Sequence, residues 1–415
     1  MSAFWHPFAD MGAVDGHEVI IDRGEGIYVF DEQGRRYLDA TASLWYCNVG
    51  YGRKEIVTAA AAQMERLHAY HTFGDFATRP AIELAEKIAS VAPVPASKVF
   101  LTSGGSDSVD SAAKLARRYF HLTGQPDRTV FIAREWGYHG THAFGTSLAG
   151  MAPNKEGYGD LIGDVVVVPW DSVEAVEKVI EQVGPERVAG IICEPVVGAG
   201  GVRFPPPGYL TGVRDAIRAA GAFFIADEVV TGFGRVGAWF ASNRFDLEPD
   251  LLTFAKGATS GYLPLGGVIA APWIAEPFWE GGVMWRHGYT YSGHSTAAAA
   301  ALANFEILER EDILAHVLQL ESALAAALAP LAHHPLVTEI RSGLGLLAAV
   351  QIDPEAIDAD PGLPARAFRA IREAGAITRA VGGGGLQISP PLIITSEQMN
   401  EMVSSFSTGL DAVNV

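Results

Sequence analysis

The chain has 415 residues, 49% hydrophobic and 19% charged, which excludes a disordered or fibrous protein and at about 150 residues per domain suggests two or three domains. Forty-eight Asp and Glu against 30 Lys and Arg leave a net charge of −18, which argues against nucleic acid or anionic lipid as a partner. Two cysteines (Cys47 and Cys193), no basic-then-apolar leader and no run near the ~18 uninterrupted apolar residues of a membrane span make a soluble, cytoplasmic enzyme the expectation.

Segments 18–21, 26–30 and 36–38 are separated by the turn formers Asp22-Arg23-Gly24 and Asp31-Glu32-Gln33-Gly34, which predicts a small antiparallel meander. From about residue 53, helices alternate with short strands. Helical periodicity covers 55–67 and 79–91, the second entered through Pro80. Seven apolar runs follow, at 99–101, 130–133, 165–168, 189–193, 222–226, 251–255 and 267–271, each bounded by Gly, Pro or Asp. Strands apolar throughout are buried on both faces, so an α/β fold with a largely parallel sheet is predicted. After about residue 296 an Ala/Leu-rich helical stretch runs on, broken at Gly343 and Pro390-Pro391. Runs 346–352 and 386–388 suggest a second, smaller sheet, and the glycines 382–385 a loop.

Ligands of such sheets sit beyond the carboxyl ends of the strands, so the residues after each run carry the chemical information. After 99–101 comes Thr102-Ser103-Gly104-Gly105-Ser106, opening a helix. Backbone N–H groups at such a start suit a phosphate, although an ordinary strand–loop–helix turn has the same look. It is neither a P-loop nor a dinucleotide fingerprint. After 130–133 comes Tyr138-His139-Gly140, either a stacking platform for a planar ring or simple packing. After 222–226 come Asp227 and Glu228, carboxylates that burial makes costly unless partnered. After 251–255 stands Lys256, one of only seven lysines, followed by Gly257. Burial would lower its pKa and make it a candidate Schiff-base amine; taken alone, a lysine reaching from the strand end to solvent is the better reading. A phosphate cradle, an aromatic platform, a buried acid and a buried lysine are together what a pyridoxal phosphate site requires.

In these stretches, in Glu194-Pro195-Val196-Val197-Gly198-Ala199-Gly200-Gly201, in Thr231-Gly232-Phe233-Gly234-Arg235 and in the run His287 to His294, the chain resembles the class III aminotransferases of the pyridoxal phosphate fold-type I group, over essentially its whole length. The resemblance implies a large domain with a mostly parallel seven-stranded sheet plus a smaller α+β domain. Its division would be 1–61, an N-terminal segment joining the small domain; 62–299, the large cofactor-binding domain; and 300–415, the small C-terminal domain. It implies that Lys256 binds pyridoxal 5'-phosphate and acts as the catalytic base, and that Asp227 pairs with the ring nitrogen. Tyr138 and Val229 would sandwich the ring beside His139, and Gly105 and Ser106 would hold the phosphate. Thr290 would reach the phosphate of a neighbouring subunit, in a homodimer that could pair into a tetramer. Glu194 would lie nearby, in a supporting role or as a structural acid satisfied by backbone.

For substrate, 44–52 resembles the omega-transaminases, which move amino groups from amines or omega-amino acids to a keto acid, pyruvate, in ping-pong half-reactions. Trp45 would line the pocket with Tyr138 and Phe73, and Arg379 would pair with a substrate carboxylate, or else be a surface loop arginine. Two features depart from the family's pattern: Gly382-Gly383 stands where Gly-Asp is usual, and Ser295 follows His294 where proline is common. The alternative is a diaminopelargonate-type aminotransferase or another class III enzyme such as an aminomutase. Trp5-His6-Pro7-Phe8 and Phe73-Gly74 resemble the former, whereas Phe8 and Leu44 replace a tyrosine and a tryptophan of that group.

Overall fold

A computed structural model describes residues 3–413. The meander consists of β1 (Ile21–Glu25), β2 (Tyr28–Asp31) and β3 (Arg36–Asp39). Its first strand differs from the expectation: β1 starts at Ile21 and runs through Asp22-Arg23-Gly24, and the reversal falls at Gly26, where φ is +58°. Pairing to β2 outweighs the local turn preference. Gly24 is needed within the strand, because a Cβ there would lie 2.6 Å from the Tyr51 ring.

Seven further strands form the central sheet: β4 (Lys98–Thr102), β5 (Val130–Arg134), β6 (Val165–Val168), β7 (Val188–Cys193), β8 (Phe223–Asp227), β9 (Leu251–Phe254) and β10 (Gly266–Ala270). Their order is β4-β10-β9-β8-β7-β5-β6. Pairings from β6 across to β9 are parallel, whereas β10 runs antiparallel to both β9 and β4. β5, β7, β8 and β9 are buried along their whole length, as continuous apolar runs require. Each fully buried Val, Ile, Leu or Phe contributes roughly 1.5–3 kcal/mol. The helix Gly105–Leu122 lies against this sheet on Val109, Ala112, Ala113, Ala116 and Phe120, its alanines permitting close approach.

The C-terminal region adds β11 (Val337–Leu344), β12 (Leu347–Ile352), β13 (Ala376–Ile377), β14 (Ala380–Val381) and β15 (Gly385–Ile388). The second sheet is antiparallel, in order β11-β12-β15-β14. β11 corrects the helical expectation across this region. The helix Ile313–Leu328 closes in a 3-10 turn, and residues 337–344 pair with β12 instead. β13 joins the meander, parallel to β3, so the two ends of the chain share one sheet. Buried Arg235 ties them to the central sheet: it donates to the carbonyls of Leu346 (3.3 Å) and Pro390 (2.6 Å) and to Asn48 Oδ1 (3.0 Å).

Among the described residues one segment, Ile313–His333, is long and apolar enough by length and composition to span a membrane, with a mean hydropathy of 1.4, although His316, Gln319, Glu321 and Ser322 interrupt its apolar run. It contains Glu321, which pairs with Arg244 at 2.6 Å. Its stripe of Ile313, Val317, Leu320, Leu324 and Leu328 belongs to the main hydrophobic core. That buried stripe packs against β11 and the C-terminal helix Ser396–Val413.

Candidate functional site

Five strands of the central sheet deliver residues to one cavity of about 830 Å³. Lys256 follows β9. Its φ of +45° lies in the left-handed region that non-glycine residues seldom adopt, so the strand ends there. Gly257 is required next, since a Cβ would come within 2.4 Å of Asn48 Nδ2. The Lys256 amine faces the cavity and has no hydrogen-bond partner among the described residues. Loss of hydration lowers its pKa to about 8; the charges of Asp227 and Glu194 oppose that shift and Arg379 reinforces it.

Asp227, the last residue of β8, is 4% exposed. Its Oδ2 accepts from His139 Nδ1 at 2.7 Å, and its Oδ1 accepts from Thr253 Oγ1 at 3.1 Å and Val229 N–H at 3.2 Å. His139 is buried with Nε2 unpaired, so its Nδ1–H is committed to Asp227. Glu228 turns the opposite way, accepting from Thr231 Oγ1 (2.7 Å) and the N–H groups of Ala241 and Ser242 (2.6 Å each). The two adjacent acids therefore have separate duties: one faces the cavity and the other ties the following loop.

Glu194 follows β7. It lines the cavity, and its oxygens accept from the backbone N–H groups of Tyr138 (3.0 Å) and Gly198 (2.9 Å). Burial raises its pKa, against the pull of His139 and of those two N–H groups. The backbone satisfaction weighed for it is thus present, in the same residue that borders the cavity. The Tyr138 ring stands edge-on to Phe8, centroids 6.4 Å apart. Burial raises its phenol pKa, and Arg379 opposes that rise.

Opposite the lysine, Gly104, Gly105 and Ser106 open the helix Gly105–Leu122 onto the cavity. Ser106 Oγ accepts from Thr141 N–H at 3.1 Å. Gly140 permits that approach, since a Cβ there would meet Ser106 Oγ at 2.5 Å. Likewise a Cβ on Gly105 would press on Val229 at 3.0 Å.

The remaining wall comes from the two ends of the chain. Trp45 sits in a turn where Ala42, Ser43 and Trp45 all have positive φ, a strained stretch pinned by Asp39, which accepts from Thr41 and Ser43. The Arg379 guanidinium carbon lies 5.9 Å from the Trp45 ring centroid. Its Nε donates to Gln387 Oε1 at 2.7 Å, and its two terminal nitrogens have no partner among the described residues. The glycine loop is a 3-10 turn, Gly382–Gly384, whose first N–H donates to Ala199 O at 2.8 Å. Only glycine fits at 382, because a Cβ would lie 2.9 Å from Gly200.

Lys256, Asp227, Gly105, Ser106, Tyr138, His139, Glu194, Val229, Trp45 and Arg379 thus all line one cavity. Phe73 and Thr290 do not. They occupy an exposed face where a Cβ on Gly288 would meet Phe73 Cζ at 3.3 Å. Met151, Asn154 and residues 263–265 also line the cavity and went unnoticed in the sequence, since loop residues that fold back over a sheet leave no periodic signal.

A model of the class III aminotransferases matches residues 11–410. The chain belongs to that family. It is 41% identical to the putrescine–pyruvate aminotransferase of Pseudomonas aeruginosa, covering 94% of this chain and 90% of that relative. Among solved structures it resembles a transaminase of the marine bacterium Virgibacillus (TM-score 0.95, 38% identity, 99% and 97% of the two chains). It also resembles an amine transaminase from an uncultivated Pseudomonas species in its PLP-bound form (TM-score 0.93, 35% identity, 99% of each chain). Class III aminotransferases depend on pyridoxal phosphate, and the cavity fits it. An unpartnered amine, a buried carboxylate and an open helix N-terminus face one space with a tyrosine and a valine beside it.

Proposed function

We propose that this class III aminotransferase transfers an amino group from an amine or omega-amino acid to pyruvate, in two half-reactions that use the same residues in turn. The single observation that carries this specificity is Arg379. It is a guanidinium with two free terminal nitrogens beside Trp45, in a cavity that is otherwise largely apolar. A planar guanidinium pairs with a carboxylate through two parallel hydrogen bonds, while the apolar surround accommodates an amine that has no carboxylate. The putrescine–pyruvate relative and the amine transaminase neighbour support that choice. Against the diaminopelargonate alternative, Phe8 offers no hydroxyl at the cavity rim, and Leu44 offers no second indole.

Pyridoxal phosphate supplies an aldehyde that condenses with amines and a protonated ring that accepts the electron pair of the substrate carbon. In our reading Lys256 Nζ would hold the aldehyde between turnovers and, once released, would take the proton from the donor's amine-bearing carbon and return it to the carbon on the other side of the shared nitrogen, a 1,3-shift. Its lowered pKa, about 8, raises the fraction of unprotonated amine that this needs. Asp227, oriented by His139 and Thr253, would face the ring nitrogen and hold its proton. Tyr138 and Val229 would flank the ring. Gly105 and Ser106 would give the phosphate N–H and hydroxyl donors at the positive end of an 18-residue helix. Glu194, by fixing the N–H of Tyr138, would keep the platform in place.

A homodimer follows from the same reading, with Thr290 completing the phosphate site of the neighbouring copy. Thr290 and Phe73 lie outside the cavity of their own chain, on a face where Tyr70, Phe76 and Tyr291 are also exposed. The division into 1–61, 62–299 and 300–415 belongs to the proposal too, as does the cytoplasm, where the buried free thiols of Cys47 and Cys193 would stay reduced. The test is a panel of donors (putrescine, 1-phenylethylamine, an omega-amino acid) against pyruvate, with alanine measured. Formation of alanine with at least one donor, and bleaching of the yellow holoenzyme by that donor, is the expected result. No alanine from any donor, with transfer from S-adenosylmethionine instead, would overturn the proposal in favour of the diaminopelargonate type.

A further inference from the structure

We infer that Gln387 is a positioning residue, which presents the Arg379 guanidinium to a substrate carboxylate and so sets how well the enzyme binds keto acids. The inference rests on the function proposed above. Gln387 lies on β15 and is 0% exposed. A buried amide needs partners for both ends, and here only one orientation supplies them. Arginine offers donors only, so the amide oxygen must face Arg379 Nε, 2.7 Å away. The amide nitrogen then donates to Ser389 Oγ at 2.7 Å, and Ser389 Oγ donates to Thr41 O at 3.3 Å. Each link of this relay thus runs from a donor to an acceptor, from Arg379 Nε–H through the Gln387 amide and the Ser389 hydroxyl to Thr41 O. The backbones are also locked: Gln387 N–H donates to Arg379 O at 3.0 Å, and Thr378 Oγ1 donates to Gln387 O at 2.6 Å.

Two consequences follow from the geometry. Engaging Nε from behind leaves the two terminal nitrogens facing the cavity, ready for two parallel bonds to a carboxylate. An acidic residue at 387 would hold Nε equally well but would neutralise the charge the substrate needs, whereas a neutral amide leaves that charge intact. The relay also ends on Thr41, the residue before the strained turn that carries Leu44 and Trp45. The arginine and the aromatic wall beside it are therefore referenced to one hydrogen-bonded chain rather than placed independently.

The test compares holoenzyme with Gln387→Leu, reading KM for pyruvate, KM for 1-phenylethylamine, and the Kd of propionate by calorimetry. Loss of a hydrogen bond to a charged group corresponds to about tenfold. Pyruvate KM and propionate Kd should each rise by about that factor, with amine KM and kcat at saturating pyruvate within about twofold. In an Arg379→Ala background the same change should have no further effect on pyruvate KM, because Gln387 acts through Arg379. Equal losses for pyruvate and amine, unchanged propionate binding, or additive effects in the double variant would each overturn the inference. If Gln387→Leu does not fold, the isosteric Gln387→Glu serves: it should weaken propionate binding at least as much, and unaltered binding overturns the inference. Should the wild type form no alanine from pyruvate, the proposed function fails, while the propionate titration still decides the role of Gln387.

Discussion

The two walls of the cavity are built in different ways. On one side Tyr138, Glu194, Asp227 and Lys256 stand at the ends of adjacent strands in a sheet buried on both faces. On the other, Trp45 and Arg379 arrive from opposite ends of the chain and meet through a strained turn and a relay of side chains. The first wall is held by the main core, and the proposed cofactor chemistry would be placed there. The second is held by hydrogen bonds between short segments, so it can change without unfolding the protein. In the proposed function, substrate choice would belong on that wall.

Substitutions that separate the two walls test the contrast. The largest effect should come from Lys256→Ala, which removes both the proposed covalent anchor and the proposed base; transamination should fall by about 10³-fold or more. Retained pyridoxal phosphate would not contradict this, whereas retained turnover would.

Next in size is Glu228→Ala, one residue from the site but facing away from it. Three buried donors lose their acceptor, so the protein should lose roughly 3 kcal/mol of stability, measured by denaturant unfolding. Cofactor affinity of the folded protein should change less than about twofold. A large loss of affinity without a loss of stability would mean that Glu228 belongs to the site.

Arg379→Ala should raise pyruvate KM about thirtyfold, the worth of a charged pair at ~2 kcal/mol. The KM for a carboxylate-free amine should hardly move. Equal losses would make Arg379 a structural arginine and erase the distinction between the walls.

The smallest effect is in pH. The Lys256 amine, lowered to about 8, is protonated below that value and free above it. Capture of pyridoxal phosphate by the apoprotein should therefore accelerate about tenfold between roughly pH 6 and 7 and level off above about 8. Acceleration continuing to about pH 10 would show an amine in ordinary hydration. The same lowering means that the unfolded chain binds the proton more tightly, so this group's contribution to stability rises with pH between about 8 and 10.4.

Legibility followed the same division. Each strand-end residue is announced by the apolar run before it, and all seven runs are strands of the central sheet. Where local preference and tertiary pairing disagree, pairing prevails. Asp22-Arg23-Gly24 has the residues of a turn and lies in β1, and 337–344 follows a helical stretch and lies in β11. Gln387 had no signal of its own, being one polar residue in a short apolar run. Its importance comes from Arg379, eight residues away and facing it across the β14–β15 pairing.

By itself the sequence determined that this is an α/β protein with a lysine, an acid and a phosphate-suited loop at strand ends, because burial on both faces forces continuous apolar runs and the residues after them stand out. It also contained the ordered motifs of the class III aminotransferases. Only the tertiary structure decided that Glu228 turns away from the cavity to tie the following loop, that Glu194 is satisfied by backbone while bordering it, and that Phe73 and Thr290 lie on another face. Adjacent residues at the end of a strand point to opposite sides, and which side holds the cavity is fixed by everything packed around the sheet.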